Sequence, residues 1–497
     1  MKHIHYYIIL PLLFSLMAAC SDYESFSDSP GLRLTFSTDT VAFDTIISTI
    51  PSSTKTLYAY NRNSDGLRIS TIQLEKGETS YFRVNVNGRY LVDGIWNDFE
   101  VLGDDSLIIR VEMTPPETHS TEPLYFTDRL HFLLENGQQQ TVLLSGGSLD
   151  AYIQKGMNIE SDMTLLTDKP YVIYDSLSVQ KGATLTLLAG TTLMFHDKAA
   201  LRVYGRLDVQ GTIEQPVVLR GDRMDHMFDY LRYDNTPSRW EGVIIDAGSF
   251  GNTFTHCDLH SACFGILYED SLLAAVDENK PAFTLDGCVI HNIGGDGLHV
   301  THGCCRVVNT QISNTQGNTV HLDGGAYSFI YSTIAQFYPF TGREGVALHL
   351  VSSADGEEYG LLRKAEFVNC VITGYGNDQL MGENIDLEDP SCRILFHHCF
   401  INTPEVEGDD HFVDCVWDQN KNCAEDTLVR DKNFLLFDTK NYLYDFTPKA
   451  ESRIRGLADP SYPGLSVDVD AKGNSRHGDG NPDAGCYEYT EPVTTEP

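Results

Sequence analysis

Helical periodicity is nearly absent from this 497-residue chain, and the long amphipathic segments that would build a bundle are missing. Basic residues are scarce as well: 35 Lys plus Arg stand against 70 Asp plus Glu, a formal charge of −35. A field of that sign repels phosphate backbones, so nucleic acid is not an expected partner. The acidity reads instead as a solvated exterior. No Cys-x-x-Cys pair occurs among the twelve cysteines, which removes the usual signal for a zinc site. The cysteines do not form a disulfide framework either. Cys304 and Cys305 are adjacent, where a mutual bond would be strained, and setting Cys20 aside leaves an odd number. Buried free thiols are the expectation. Apolar content is ample, at 41% hydrophobic and 10% aromatic, so wholesale disorder is excluded. A chain of this length exceeds one compact core and predicts two or three domains.

Between Phe254 and Cys415 one phrase recurs. It is seen in 283-FTLDGCVIHNIGGDGLHVTHG-303, 306-RVVNTQISNTQGNTVHLDGG-325 and 365-AEFVNCVITGYGNDQL-380. Each holds a short alternating run, a corner of Asn, Gly and Asp, and a second run. Cys288 and Thr310 occupy equivalent places, and His256-Cys257, Asn369-Cys370, His398-Cys399 and Asp414-Cys415 restart the phrase. Self-similarity at about 20 to 50 residues marks a solenoid whose turns bury their apolar faces only by stacking. Runs this short, alternating in twos, predict strands.

The opening MKHIHYYIILPLLFSLMAAC has a basic start, an apolar run from Tyr6 to Ala19 and small residues before a cysteine, as in a secretory signal. The run is about fourteen residues, too short to span a bilayer as a mature helix. Leu16-Met17-Ala18-Ala19-Cys20 resembles the lipobox of bacterial lipoproteins, with Met17 in place of the commoner Leu. That resemblance implies a diacylglycerol thioether on Cys20 and an outer-membrane, lipid-anchored location. Asp22 and Glu24 resemble the export tags of lipoproteins displayed on the cell surface. Residues 1–20 are thus expected to be the lipoprotein signal peptide and 21–30 a flexible tether.

Residues 31–150 carry seven alternating segments, from LRLTFSTDTVAFDTII to QQTVLLSGG, which predict a β-sandwich. Val41-Ala42-Phe43-Asp44-Thr45 and Leu57-Tyr58-Ala59-Tyr60-Asn61 resemble the immunoglobulin-like modules that precede β-helices in surface lipoproteins. No Cys…Trp…Cys signature places it in the antibody subclass. Its expected roles are to space the solenoid from the membrane and to cover its first coil. Next, 177-LSVQKGATLTLLAGTTLMFHDKAALRVYGRLDVQGTIEQPVVLRG-221 and Trp240-Glu241-Gly242-Val243-Ile244-Ile245 resemble the coils of right-handed parallel β-helices, the fold shared with pectate lyases. The resemblance covers residues 159–425 and implies an all-β chain with this solenoid at its centre. Residues 430–490 are expected to be a capping segment, in which the aromatic NFLLFDTKNYLYDF closes the final coil. Arg476, Asp483, Gly485, Tyr487 and Glu488 resemble a terminal motif found after β-helices in secreted bacterial proteins.

Aligned repeats superpose His299, His321 and His349, and strand alternation turns all three outward in a row about 4.8 Å apart. Asp296 and Asp323 lie close by in sequence. These five residues are the candidates for acid–base chemistry or metal binding, although a row of surface imidazoles needs no role. Two segments break the rhythm, Arg223 to Arg239 and Phe337 to Glu344, and loops of this kind build binding surfaces. Tyr230, Arg232, Tyr233, Trp240 and Tyr338 are the candidates there for contact with sugar. The segment 468-DVDAKGNSRHGD-479 begins like a calcium loop, yet Lys472 and Asp479 stand where ligands belong. No cofactor is expected, with calcium the one ion the pattern brings to mind.

Asp246, Asp258, Asp286, Asp296 and Asp323 are scattered over different repeats, and no paired-aspartate motif of a polygalacturonase-like hydrolase stands out. The expectation is a non-catalytic, lipid-anchored surface protein presenting a solenoid face to a glycan or protein partner. Two alternatives stay open: a polysaccharide lyase or glycoside hydrolase on the histidine face, and an accessory subunit of an outer-membrane complex.

Overall fold

The computed structural model describes residues 25–270, 277–353, 360–418, 433–478 and 480–491. Cys20, Asp22 and Glu24 lie outside the described residues. The chain divides into two compact units, with the boundary after Asp150. Among the described residues the helical elements are two single 3-10 turns, Gly77–Thr79 and Tyr233–Asn235. The rest of the regular structure is β.

The first unit holds two five-stranded sheets. One is built on Lys55–Tyr60, Ser106–Met113 and Phe82–Val86, the other on Leu67–Leu74, Leu124–Leu134 and Gln139–Leu149. Alternation buries Leu57, Ile109 and Val111 from one sheet and Ile69, Phe132 and Leu144 from the other in a shared core. Three of the ten strands exceed the sequence expectation. Thr35–Phe36 and Arg89–Tyr90 are two-residue edges, and Ile95–Val101 is mostly exposed and carries Asn97 and Asp98, so its alternation is faint.

The second unit contains an 18-stranded and a 10-stranded sheet, whose ladders are parallel throughout. Strands pair with their counterparts one repeat on, an arrangement compatible with a β-helix. Leu298–Thr301 pairs with Val320–Asp323, and that with Leu348–Val351, in unbroken register. Phe329, Phe367, Phe396 and Phe412 form an interior column with ring centroids 4.9, 5.0 and 4.9 Å apart. Such contacts add about 0.5–1.5 kcal/mol per pair beyond area burial.

The repeated corner has a physical cause. His256, Gly287, Asn309, Tyr331, Asn369, His398 and Asp414 all take positive φ, between 43° and 66°. After each comes a small residue with a donor: Cys257, Cys288, Thr310, Ser332, Cys370, Cys399 or Cys415. Thr310 Oγ1 donates to the carbonyl of Val308 at 2.7 Å, and the Cys370 thiol to that of Val368 at 3.4 Å. Cys288, Ser332, Cys399 and Cys415 likewise donate two residues back. The corner therefore wants something small, apolar enough for the interior and able to satisfy one carbonyl, and cysteine meets all three demands. All the described cysteines are free. Burial raises the thiol pKa of Cys257, Cys305 and Cys399, so these are inert. Gly287 sits where a Cβ would come within 2.5 Å of the His256 ring.

The C-terminal segment departs from the expectation of closing the final coil. Its hairpin, Phe434–Asp438 with Leu443–Pro448, packs on the flank, where Phe434, Phe446, Ile454 and Cys486 cover Ala335, Phe337, Val371 and Phe400. The physical reason is that the outward positions of these repeats are apolar and need a cover. The segment is fastened to the corner residues. Asn369 Nδ2 donates to the carbonyl of Asp459 at 2.9 Å and Asn309 Nδ2 to that of Val469 at 3.0 Å. The Asp470 carboxylate accepts the amides of Lys472, Asn474 and Glu488 at 2.7–2.9 Å and Asn474 Nδ2 at 2.9 Å. The calcium-like loop is therefore a turn held by its own Asp470 carboxylate, with Lys472 Nζ bound to Asp445 at 2.9 Å.

Candidate functional site

His299, His321 and His349 stand in one outward row, with centroid separations of 4.3 and 4.6 Å. Leu298, Val300, Val320, Leu322, Leu348 and Leu350 on the same strands face the core. Asp296 is the carboxylate that meets this row: its Oδ2 lies 3.0 Å from His299 Nδ1 and 3.2 Å from His321 Nδ1. Burial opposes the ionised form of Asp296, but hydrogen bonds from His299, His321 and the Asn318 amide outweigh it and hold the carboxyl well below its ordinary range. His349 Nε2 contacts Glu383 at 3.1 Å. Asp323 lies two residues beyond His321 on the same strand, in register with Thr301 and Val351.

A second set of imidazoles occupies the neighbouring ladder. Pairing of Val217–Gly221, Cys257–His260 and Val289–Ile293 aligns His260 with His291, ring centroids 5.0 Å apart. Asp258 Oδ1 lies 2.9 Å from His260 Nδ1 and 3.2 Å from His291 Nε2. Asp234, from the segment that breaks the repeat, lies 3.7 Å from His260 Nε2 and is ion-paired with Arg220. Burial alone would lower the His260 pKa, but the Asp258 and Asp234 carboxylates reverse this and push it up to about 9. Burial likewise works against ionisation of Asp258, and His260 and His291 overcome it, holding that carboxyl far down.

His291 opens onto a cleft of about 370 Å³ between the ladder and the C-terminal hairpin. Asn235, Asn292, Gln311 and Asn314 line it with amides, Tyr442, Tyr444 and Tyr487 with phenols, and Asp445 and Lys472 with charge. Its floor is pre-organised. Tyr487 donates its hydroxyl to Gln311 Oε1 at 2.8 Å, and Gln311 Nε2 donates to Ser313 Oγ at 2.9 Å. Asn292 and Asn314 both take positive φ, 56° and 55°, at the second bend of the repeat. Asparagine tolerates that backbone, and its amide stays at the cleft wall.

The five residues expected to contact sugar divide sharply. Trp240 is 1% exposed, its ring stacked on Phe195 at 4.3 Å and its Nε1 donating to the His260 carbonyl. Tyr233 is buried between the Arg223 and Arg239 guanidiniums, and burial pushes its phenol up to about 12. Tyr338 is buried too, because the Phe337 segment folds down on the flank. A buried ring cannot offer its face to a ligand, so these three serve packing. Tyr230 is 61% exposed and stacks on the exposed Phe228 at the tip of a hairpin that also holds Arg232. Sequence reasoning missed His260, His291 and the cleft. The signal available was His-x-x at one outward position of two consecutive repeats, 257-CDLH-260 and 289-VIHN-292.

No protein-family model matches the chain, and no curated protein matches it. Among solved structures, a family 123 glycoside hydrolase from Clostridium perfringens that acts on glycolipid glycans aligns at 8% identity with a TM-score of 0.18. The alignment covers 25% of this chain and 30% of the hydrolase. The PapD-like domain 7 of human CEP192 aligns at 10% identity and TM-score 0.18, over 27% of this chain and 96% of that domain. Similarity at this level carries no functional argument.

Proposed function

We propose that this protein is a lipid-anchored surface lipoprotein whose second unit, a right-handed parallel β-helix, holds a neutral oligosaccharide without turning it over. The first unit is on this reading an immunoglobulin-like sandwich. The cleft carries the proposal. Its volume falls at the lower end of ligand sites, and it offers amides and hydroxyls, those of Asn292, Gln311, Ser313 and Asn314 on paired strands, together with the partly exposed rings of Tyr442 and Tyr444. Amides recognise sugar hydroxyls as both donors and acceptors, and ring faces pack against sugar C–H surfaces. The formal charge of −35 disfavours polyanionic glycans and so favours a neutral one.

A glycan array carrying neutral and uronic-acid oligosaccharides, followed by calorimetry on the best ligand, tests this. The neutral series should bind. Asn235→Ala and His291→Ala should each weaken binding about 10-fold, the loss of one or two good hydrogen bonds. Wild-type affinity in both variants would remove the cleft as the site, and a blank array would remove the glycan. A carbohydrate-active enzyme is the second reading, favoured by the Asp258–His291 contact at the cleft wall, which is the arrangement of an oriented base. Appearance of new reducing ends or unsaturated products from the bound glycan would establish it.

The anchor is tested separately. Cys20→Ala should move the protein from the outer-membrane fraction to the soluble fraction and abolish labelling by radioactive palmitate, because the chain would keep its export signal and lose its acyl groups. Continued membrane association with intact stoichiometry would point instead to a protein partner in the outer membrane.

A further inference from the structure

Parallel pairing in register brings His299 and His321 one repeat apart, but stacking alone does not fix where their nitrogens point. Both Nδ1 atoms converge on one atom, Oδ2 of Asp296, at 3.0 and 3.2 Å. The three potential ligand atoms lie within 4.8 Å of one another. A zinc-class ion, bound at about 2.0–2.2 Å by imidazole nitrogen and carboxylate oxygen, needs its ligands about 3 to 3.5 Å apart. The groups behind these ligands are also in place. Oδ1 of Asp296 accepts the Asn318 amide at 2.7 Å, and Nε2 of His299 lies 3.3 Å from the Thr301 hydroxyl. Outer contacts of this kind orient metal ligands and are part of what makes a site bind. All three side chains are partly exposed, so an ion has a path to them.

We propose that Asp296, His299 and His321 form a binding site for one divalent transition-metal ion of the zinc class, with three protein ligands and its remaining coordination open to solvent. Strand pairing holds two of the ligands and a short turn the third, so the site is built before the ion arrives. Its open coordination would accept water or an oxygen of a ligand. Three other clusters of the same residue types lack this character. Asp258, His260 and His291 already share their charge with Asp234 and Arg220. His397 is 3.8 Å from Asp459, and His398 Nδ1 is engaged by the Leu457 carbonyl at 2.7 Å. Asp150, beside His119, is taken by Ser48 and by the Thr118 amide.

The test uses the untagged mature chain, stripped with chelator and dialysed against zinc or cobalt. Metal analysis should show one ion per chain, and a His291→Ala, His397→Ala control, which removes a histidine from each of two other clusters, should bind as wild type. Cobalt should give the visible absorption of a low-coordinate nitrogen–oxygen site. Asp296→Asn and His321→Ala should each weaken binding at least about 10-fold. His299→Ala leaves the inward face untouched and serves as the second variant if His321→Ala folds poorly, with circular dichroism as the check. A chain that takes up no ion from micromolar zinc overturns the proposal. So does uptake unchanged by Asp296→Asn, or uptake abolished by the double control.

Discussion

Arg476→Met is expected to detach the C-terminal segment, cost about 3–5 kcal/mol as a broken buried ion pair, and expose residues 433–491 to protease. The Arg476 side chain is wholly buried. Its Nη1 donates to Glu488 Oε1 at 2.6 Å, and its Nη2 donates to Asn309 Oδ1 at 2.7 Å and the Gly485 carbonyl at 3.1 Å. The guanidinium lies 3.8 Å from the centroid of the Tyr331 ring. Asn309 and Tyr331 are corner residues of successive repeats, so one cation ties the segment to two rungs. Burial raises the Glu488 carboxyl above its ordinary value even with the arginine present, so removing the arginine leaves an acid with no good state. Replacing both, as in Arg476→Met with Glu488→Met, should recover much of the loss, since an apolar pair of similar volume is often neutral. Limited proteolysis and urea unfolding of the three forms decide the matter. A single variant as resistant as wild type would show that the hairpin, not the arginine, holds the segment.

This lock shows what a sequence read alone conveys and what it withholds. The terminal motif was legible as a pattern, but its partner Asn309 lies in the middle of the parallel-stranded unit, and nothing in the motif names it. The repeats were legible because one corner must take positive φ and must place a small donor next, and that double demand leaves the same signature at His256-Cys257, Asn309-Thr310 and Asn369-Cys370. The histidine row was legible for a related reason. A period of two and unbroken register leave His299, His321 and His349 only one face to occupy. Asp296 as the carboxylate of that row was among the candidates, while Asp323 follows the strand direction away from it. The flank cover was misplaced because aromatic content tells that a segment must be buried, not where. The cleft could not be read at all, since its walls come from segments near Asn235, Asn292 and Tyr444, which are joined only by folding. Trp240 illustrates the opposite error: an aromatic beside an irregular segment suggested a sugar platform, and its ring fills the interior beside Phe195.

His260→Gln is expected to change the pH dependence of stability more than any other single substitution on the outward faces. His260 is 6% exposed and stands between Asp258 and Asp234, with His291 stacked beside it and Arg220 paired to Asp234. Burial disfavours its charged form, the two carboxylates favour it more, and the balance places its pKa at about 9 against an ordinary 6.5. A folded pKa above the unfolded one means that the native state holds the proton more tightly. The stabilisation is therefore complete below about pH 6.5 and is lost as pH rises through about 9, a change of about 3 kcal/mol for a shift of that size. Asp258 titrates with the opposite sense: its depressed pKa gives stability that is lost only in acid. Urea unfolding of wild type and His260→Gln at pH values on both sides of that window separates the two. The wild type should weaken towards alkaline pH, and the variant, which has no proton to lose at this position, should weaken far less. Parallel curves for the two proteins would mean that Asp258 and Asp234 keep their stability without a charged His260, with Arg220 paired to Asp234. The His260–His291 pair would then owe its order to packing and not to charge.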